Sequence, residues 1–123
     1  VQLQQDEEDA RAKIENAFRA GGLAVPGQRE VLASCGVDGT RAAILLNTML
    51  REKKLVRVSM ELVFHESAIE GLKTLLAAKK GQRFNVGEFK DWTGASRKYA
   101  IPLLEFLDRE RVTRRDGDDR VVL

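Results

Sequence analysis

The chain has 123 residues, and its 21 Lys and Arg against 19 Asp and Glu give a formal net charge of +2, which excludes a general polycation of the histone type. Hydrophobic residues make up 43% and charged residues 33%, so the chain can build a core and disorder is excluded. No run approaches 18 apolar residues, and the single Cys35 excludes an internal disulfide, so we expect a cytoplasmic protein without a membrane partner.

An internal repeat emerges when the chain is shifted on itself by 57 residues. Residues 44–50 then lie on residues 101–107, and residues 54–57 lie on residues 111–114. Two copies of one unit predict two domains, 1–65 and 66–123. Units of this size have thin cores and often depend on a neighbour.

The first unit predicts three helices and a hairpin. Apolar residues at helical spacing predict the first helix over 8–20, and Pro26 opens a short second helix over 27–34. Asp38 or Thr40 can cap a third helix that ends at Lys53. Its predicted inward stripe is Ala43, Ile44, Leu46, Met49 and Leu50. Two β-rich runs, 55–58 and 62–64, then predict a two-stranded ribbon.

The second unit repeats this order. Ser67 is predicted to cap a helix that ends at Lys80, a short helix follows over 87–92, and Ser96 caps the third helix. The predicted inward stripe of that third helix is Ala100, Ile101, Leu104 and Leu107, and Pro102 is expected to bend its first turns. Runs 112–115 and 120–123 flank the turn signal Asp116-Gly117. Three helices followed by a β-wing predict a mainly α fold with small β-wings (α+β), as two tandem winged-helix domains.

Enzyme chemistry is excluded on residue types. Cys35 and His65 are each single, so no metal site is predicted, and a catalytic triad lacks a second His. Neither a G-x-x-x-x-G-K-[ST] loop nor G-x-G-x-x-G occurs, so no cofactor is predicted for this chain. Asp118 and Asp119 lie at a predicted turn tip, where solvated charge is the simpler interpretation. We therefore expect no catalytic residue and no enzyme.

Basic residues gather in the second unit. Arg97 and Lys98 occupy the first turn of its third helix, where the helix dipole is already positive, so the pair points to a phosphate ligand. The candidate binding residues are Ser96, Arg97, Lys98, Tyr99, Arg114, Arg115, Arg120 and Lys90. Trp92 and Tyr99 can stack on a base, although a core position is the simpler interpretation of Trp92. Lys79 and Lys80 do not require a ligand, because cations are favourable at the C-terminal end of a helix.

Thr93-Gly-Ala-Ser-Arg-Lys-Tyr-Ala-Ile-Pro-Leu-Leu-Glu105, followed by the basic wing, resembles the C-terminal end of bacterial selenocysteine-specific translation elongation factors (SelB). The resemblance implies a fragment with the last two of four winged-helix domains, of which the second binds an mRNA hairpin, the SECIS element. It also implies that Arg97, Lys98, Arg114, Arg115 and Arg120 grip that hairpin. GTP, Mg, the ribosome and selenocysteyl-tRNA would then be partners of the parent protein. The first unit lacks the basic pattern, so we expect it to be a spacer that orients the second unit, or to face the ribosome. We expect a monomer.

Two other functions fit the fold. A DNA-binding winged-helix regulator would place the third helix in a major groove, and such proteins usually dimerise. A protein-interaction module would tolerate loss of charge at Arg114 and Arg115. Fold alone does not separate the three.

Overall fold

The computed structural model describes residues 2–123, with side chains from residue 5 onward. The chain divides into two compact units, Val1–Ala68 and Ile69–Leu123. Each unit is described here by itself. The domain limits 1–65 and 66–123, and the independence of the two domains, stay predictions.

The first unit consists of three helices and a short antiparallel hairpin. Its elements are α1 (Gln2–Gly21), α2 (Gln28–Ala33), α3 (Gly39–Arg51), β1 (Leu55–Arg57) and β2 (Val63–His65). The strands pair in the register Leu55 to His65 and Arg57 to Val63. The largest side chains of its core include Ile14, Phe18, Leu46, Met49 and Phe64, all nearly inaccessible to solvent. These elements follow the predicted order of helices and strands.

The second unit has the same order, with one additional short strand. Its elements are α4 (Glu66–Ala77), which begins at the end of the first unit, β3 (Arg83–Phe84), α5 (Val86–Thr93), α6 (Arg97–Arg109), β4 (Thr113–Asp116) and β5 (Asp119–Val122). The strands form an antiparallel sheet in the order β3-β5-β4. The hairpin of β4 and β5 is the wing, and its turn has Gly117 at a φ of 67°. The winged-helix, mainly α fold class is confirmed.

Helix starts differ from the prediction in two places. Ser67 is inside α4, and its backbone N–H donates to Nδ1 of His65 at 3.1 Å, so His65 and not Ser67 satisfies the helix start. Ser96 does occupy the N-cap of α6, but its side chain makes no capping hydrogen bond. In the first unit, of the two predicted caps, Asp38 is the one used: it accepts from the Arg41 N–H at 2.8 Å.

The two units match at an offset of 58 residues, not 57. The N-caps Asp38 and Ser96 are 58 residues apart. So are Lys53 and Arg111, the two non-glycine residues with positive φ among those described, at 63° and 59°. The sequence alignment was one residue out because the apolar runs of both helices are dense enough to match in either register.

The predicted inward stripe of α3 is wrong in part. Ile44 was expected to face inward, but it is 58% exposed and stands where the second unit has Pro102. Ala42, Leu46 and Met49 are the buried residues of α3. Ala43 and Leu50, also predicted to be inward, are only partly buried.

α6 continues through Pro102, its sixth residue. Proline has no N–H to donate to the Lys98 carbonyl. The helix is not interrupted there, and its bend stays a prediction. The buried residues of α6 are Ala100, Leu103, Leu104, Phe106 and Leu107, and Ile101 is only partly buried.

Candidate nucleic-acid interface

The start of α6 is a positively charged, exposed helix end. Arg97 and Lys98 are both exposed, and the first turn contains no acidic residue. The hydroxyl of Ser96 does not cap the helix. Because the first N–H groups of a helix have no partner within it and carry partial positive charge, this end favours an anion. Nothing acidic in the first turn offsets the charge of the two side chains.

Tyr99 and Lys90 lie next to this helix start. The Lys98 ammonium is 5.4 Å from the centroid of the Tyr99 ring, and the ring is partly buried. Lys90 lies in the last turn of α5, and its carbonyl accepts from the N–H of Gly94 at 2.7 Å. Gly94 has a φ of 73°, a left-handed conformation that glycine adopts without strain. This hydrogen bond closes the last turn of α5, two residues before the N-cap Ser96.

Arg114 and Arg115 point to opposite faces of the wing. Arg114 is paired with Val121 and Arg115 with Arg120 in the register of β4 and β5. Successive side chains of a strand alternate between the two faces of a sheet, so Arg115 shares the face of the buried Thr113. The sequence suggested one arginine pair, and the structure separates the two charges.

The two faces differ in their acidic neighbours. On the face of Arg114 lie Asp116 and Asp119, and both form ion pairs with Arg83 of β3. On the other face, Arg115 is exposed and donates from Nε to the Gly117 carbonyl at 3.1 Å. Arg115 is therefore the wing arginine in the more positive surroundings.

Arg120 is placed differently from the other candidates. It is only 8% exposed, and its Nε donates to the Asp108 carboxylate at 3.1 Å. Asp108 also accepts from the Thr113 hydroxyl at 2.6 Å. The predicted RNA contact of Arg120 is thus not supported by its position, because this side chain is used to hold the wing on α6. Sequence reasoning missed Asp108, whose role has no local signal.

The attachment point of the wing on α6 is far from the helix start. At 1.5 Å per residue, Arg97 lies roughly 16 Å along the helix axis from Asp108, where the wing is fastened.

The first unit lacks this arrangement at the equivalent helix. Gly39 and Thr40 stand where α6 has Arg97 and Lys98, and the carboxylate of Asp38 occupies the helix start. Arg41 forms an ion pair with Glu7 at 3.5 Å. The positive charge at the start of α3 is therefore already balanced by carboxylates of the chain itself.

His65, one of the two residues considered for metal binding, has a structural position. It is 3% exposed, and its Nε2 lies 2.9 Å from Oε2 of Glu15. This hydrogen bond, helped by the charges of Arg19 and Lys54 and opposed by burial, holds the pKa of Glu15 below its ordinary value. Within the described residues, no cluster of three metal-ligating side chains occurs.

Residues 76–122 match the family described as "Elongation factor SelB, winged helix". This part of the chain is therefore similar to the SelB winged-helix region. Across residues 2–123, no helix is both long and apolar enough to cross a bilayer.

Two relatives extend the similarity over nearly the whole chain. It is 29% identical to the selenocysteine-specific elongation factor of Desulfomicrobium baculatum over 99% of its own length and spans 20% of that protein. The crystal structure of a bacterial selenocysteine-specific elongation factor matches 97% of the chain with a TM-score of 0.78 and 26% identity, over 19% of that factor.

A third comparison supports the fold. The mRNA-binding domain of SelB from E. coli, solved in complex with SECIS RNA, matches 95% of the chain and 96% of that domain, with a TM-score of 0.74 and 20% identity. At this identity the match shows a common fold.

Proposed function

We propose that the second unit binds an mRNA hairpin of the SECIS type. The observation that carries the proposal is the start of α6, where Arg97 and Lys98 are exposed on an uncapped helix end without an acidic residue in its first turn. The similarity of residues 76–122 to the SelB winged helix, and of the fold to a domain that was solved with SECIS RNA, supports an RNA ligand. Nucleic-acid phosphates are the ligand that this charge favours.

The contacts divide into two kinds. The backbone N–H groups of α6, with Arg97, Lys98 and the hydroxyl of Ser96, hold phosphates near the hairpin loop, and Arg115 and Arg114 of the wing hold others. Such contacts position the RNA without reading its sequence. The major groove of an A-form stem is too deep and narrow for α6, so unpaired bases carry the sequence information, with Arg side chains or Tyr99 as readers.

The role of the whole factor follows from this tether. Bound to the hairpin, the parent protein would keep its selenocysteyl-tRNA near a UGA codon on the ribosome. GTP and Mg would bind elsewhere in that protein, and the first unit would orient the second. We also propose that the chain is monomeric and works in the cytoplasm, with domains at 1–65 and 66–123.

The test is a titration of the purified chain with a labelled SECIS-type hairpin, the same hairpin with a scrambled loop, and a DNA duplex of equal length, at about 50 and 200 mM salt. Tight binding to the first alone, with an affinity that falls as salt rises, supports the proposal. Equal binding to all three reduces the basic surface to general electrostatics. Absence of binding leaves the protein-interaction function.

A further inference from the structure

Trp92 is an aromatic ring at the edge of the core. It lies in the last turn of α5 and is partly exposed. The ring of Phe84, itself buried, packs against it with the centroids 5.1 Å apart and the planes tilted by 44°. Phe84 and α5 therefore hold the indole in place, while part of the indole remains at the surface.

A lysine covers this ring. The ammonium of Lys79 lies over the Trp92 ring, 4.5 Å from its centroid. A lysine head group keeps its hydration, so the face that it covers borders solvent. Backbone hydrogen bonds fix the turn around Lys79, from its N–H to the Leu76 carbonyl and from the Gln82 N–H to the Lys79 carbonyl. The backbone is fixed, but the long side chain can leave the ring.

The ring is also close to the positively charged helix start. Trp92 precedes Ser96 by four residues, so their Cα atoms are at most about 14 Å apart. That distance corresponds to no more than about four nucleotides at 3.4 Å each. The turn between them is held by the Gly94 N–H to the Lys90 carbonyl and by the Ala95 N–H to the Thr93 hydroxyl at 3.1 Å.

We propose that Trp92 is a stacking platform for an unpaired base of the RNA, which Lys79 covers in the free protein. This rests on the proposed function of the second unit and adds a contact outside the basic residues of α6 and the wing. Stacking of a base on an indole contributes more binding free energy than a surface ammonium over the same ring, so the base displaces Lys79. The ammonium then moves to a neighbouring phosphate. Every base has a flat face, so this contact is indifferent to base identity.

The base can come from the hairpin loop or from single-stranded RNA that flanks the stem. The experiment therefore uses a blunt SECIS-type hairpin and the same hairpin with a single-stranded tail, each with and without abasic sites in the loop or in the tail. Trp92 is the single tryptophan of the chain, so intrinsic fluorescence reports on it directly. RNA affinity is measured separately by fluorescence anisotropy of labelled RNA.

Two variants complete the design. Trp92→Leu keeps an apolar side chain against Phe84 and removes the stacking face. Lys79→Ala removes the covering ammonium. Lys80→Ala is its matched control, since among the described residues the lysine that lies over Trp92 is Lys79. Both lysine variants lose one positive charge. The change in Trp92 emission in the free protein is expected for Lys79→Ala alone.

The expected result is quenching of Trp92 by RNA that keeps the stacked base, and a roughly tenfold lower affinity of Trp92→Leu for that RNA. Removing the same base from the RNA should cost about as much, and the two changes together no more than either alone. If the two losses fail to add only for abasic sites in the loop, the stacked base comes from the loop. If they fail to add only for abasic sites in the tail, it comes from the tail.

Tight hairpin binding with unchanged Trp92 emission overturns the stacking platform and leaves hairpin recognition intact. The same holds if the affinity losses from Trp92→Leu and from base removal add in every abasic series. Absence of RNA binding by the wild-type chain overturns the proposed function and the platform with it. The quenching comparison of intact and abasic RNA uses wild-type protein, so it decides the matter even where Trp92→Leu lowers stability.

Discussion

Arg120 donates from Nε to the Asp108 carboxylate at 3.1 Å, and this contact fastens the wing to α6. The Thr113 hydroxyl donates to the same carboxylate, so one side chain of α6 holds both strands of the wing. Asp108 therefore helps to set the position of the exposed wing arginines relative to α6.

Replacing Asp108 by Ala should lower the free energy of unfolding by about 2–3 kcal/mol, because it leaves the nearly buried guanidinium of Arg120 without its partner. The partial exposure of Asp108 keeps the loss below that of a fully buried pair. Urea denaturation measures it. Asp119→Ala, which breaks an exposed pair with Arg83, is the control and should cost less than about 0.5 kcal/mol. Equal losses in the two variants would mean that Asp108 does not anchor the wing.

Arg115→Ala should weaken hairpin binding more than Arg114→Ala. Arg115 lies on the face of the sheet that packs on α6, whereas Arg114 shares its face with Asp116 and Asp119. We expect a loss of about 1–3 kcal/mol for Arg115→Ala if the side chain binds a base with two hydrogen bonds, and a loss of the same range for Arg97→Ala. Anisotropy titrations at several salt concentrations measure both. Unchanged affinity in Arg97→Ala and Arg115→Ala would disprove this placement of the site.

The stability of the first unit should depend on the ionisation of Glu15. Its pKa is lowered in the folded chain, chiefly by the hydrogen bond with His65, so the stabilisation is present above the ordinary glutamate pKa and is lost as pH falls through it toward the folded value. Glu15→Gln should lower stability at neutral pH by about 1 kcal/mol. The difference from wild type should shrink below about pH 4.3. Denaturation curves across this range measure it, and a difference that is constant with pH would contradict the prediction.

The register of α3 can be tested by two truncations in the same helix. Leu46→Ala should cost about 3 kcal/mol because Leu46 is 2% exposed. Ile44→Ala should stay within about 0.5 kcal/mol because Ile44 is mostly exposed. Thermal or urea unfolding of both variants provides the comparison. A large loss at Ile44 would contradict its exposed position on α3.

The sequence predicted the order of elements in both units because helix periodicity and glycine stops are local signals. It did not predict the correct offset of 58 residues between equivalent positions of the two units, since the apolar residues from Ile44 to Leu50 fit two alignments. It also missed the cap of α4, because His65 is an unusual residue for that position and belongs to β2, which runs directly into the helix.

The candidate site was predictable in part. Arg97 and Lys98 were predictable as site residues from their position in the first turn of a helix. Their exposure agrees with the requirement for a ligand contact. The burial of Arg120 was not predictable, since it depends on Asp108, twelve residues away in the chain. Arg114 and Arg115 are adjacent in the sequence, but successive side chains of a strand point to opposite faces of the sheet, so the two charges are separated.

The common frame of the two units also has a use in protein engineering. Because the N-cap, the helix length and the left-handed residue after the helix coincide at an offset of 58, the first unit is an acceptor scaffold for the second unit's surface. Gly39→Arg with Thr40→Lys would transplant the cationic helix start onto α3. Under the proposed function, a chain with two such surfaces would be a bivalent RNA-binding reagent, and the native chain would be its monovalent counterpart.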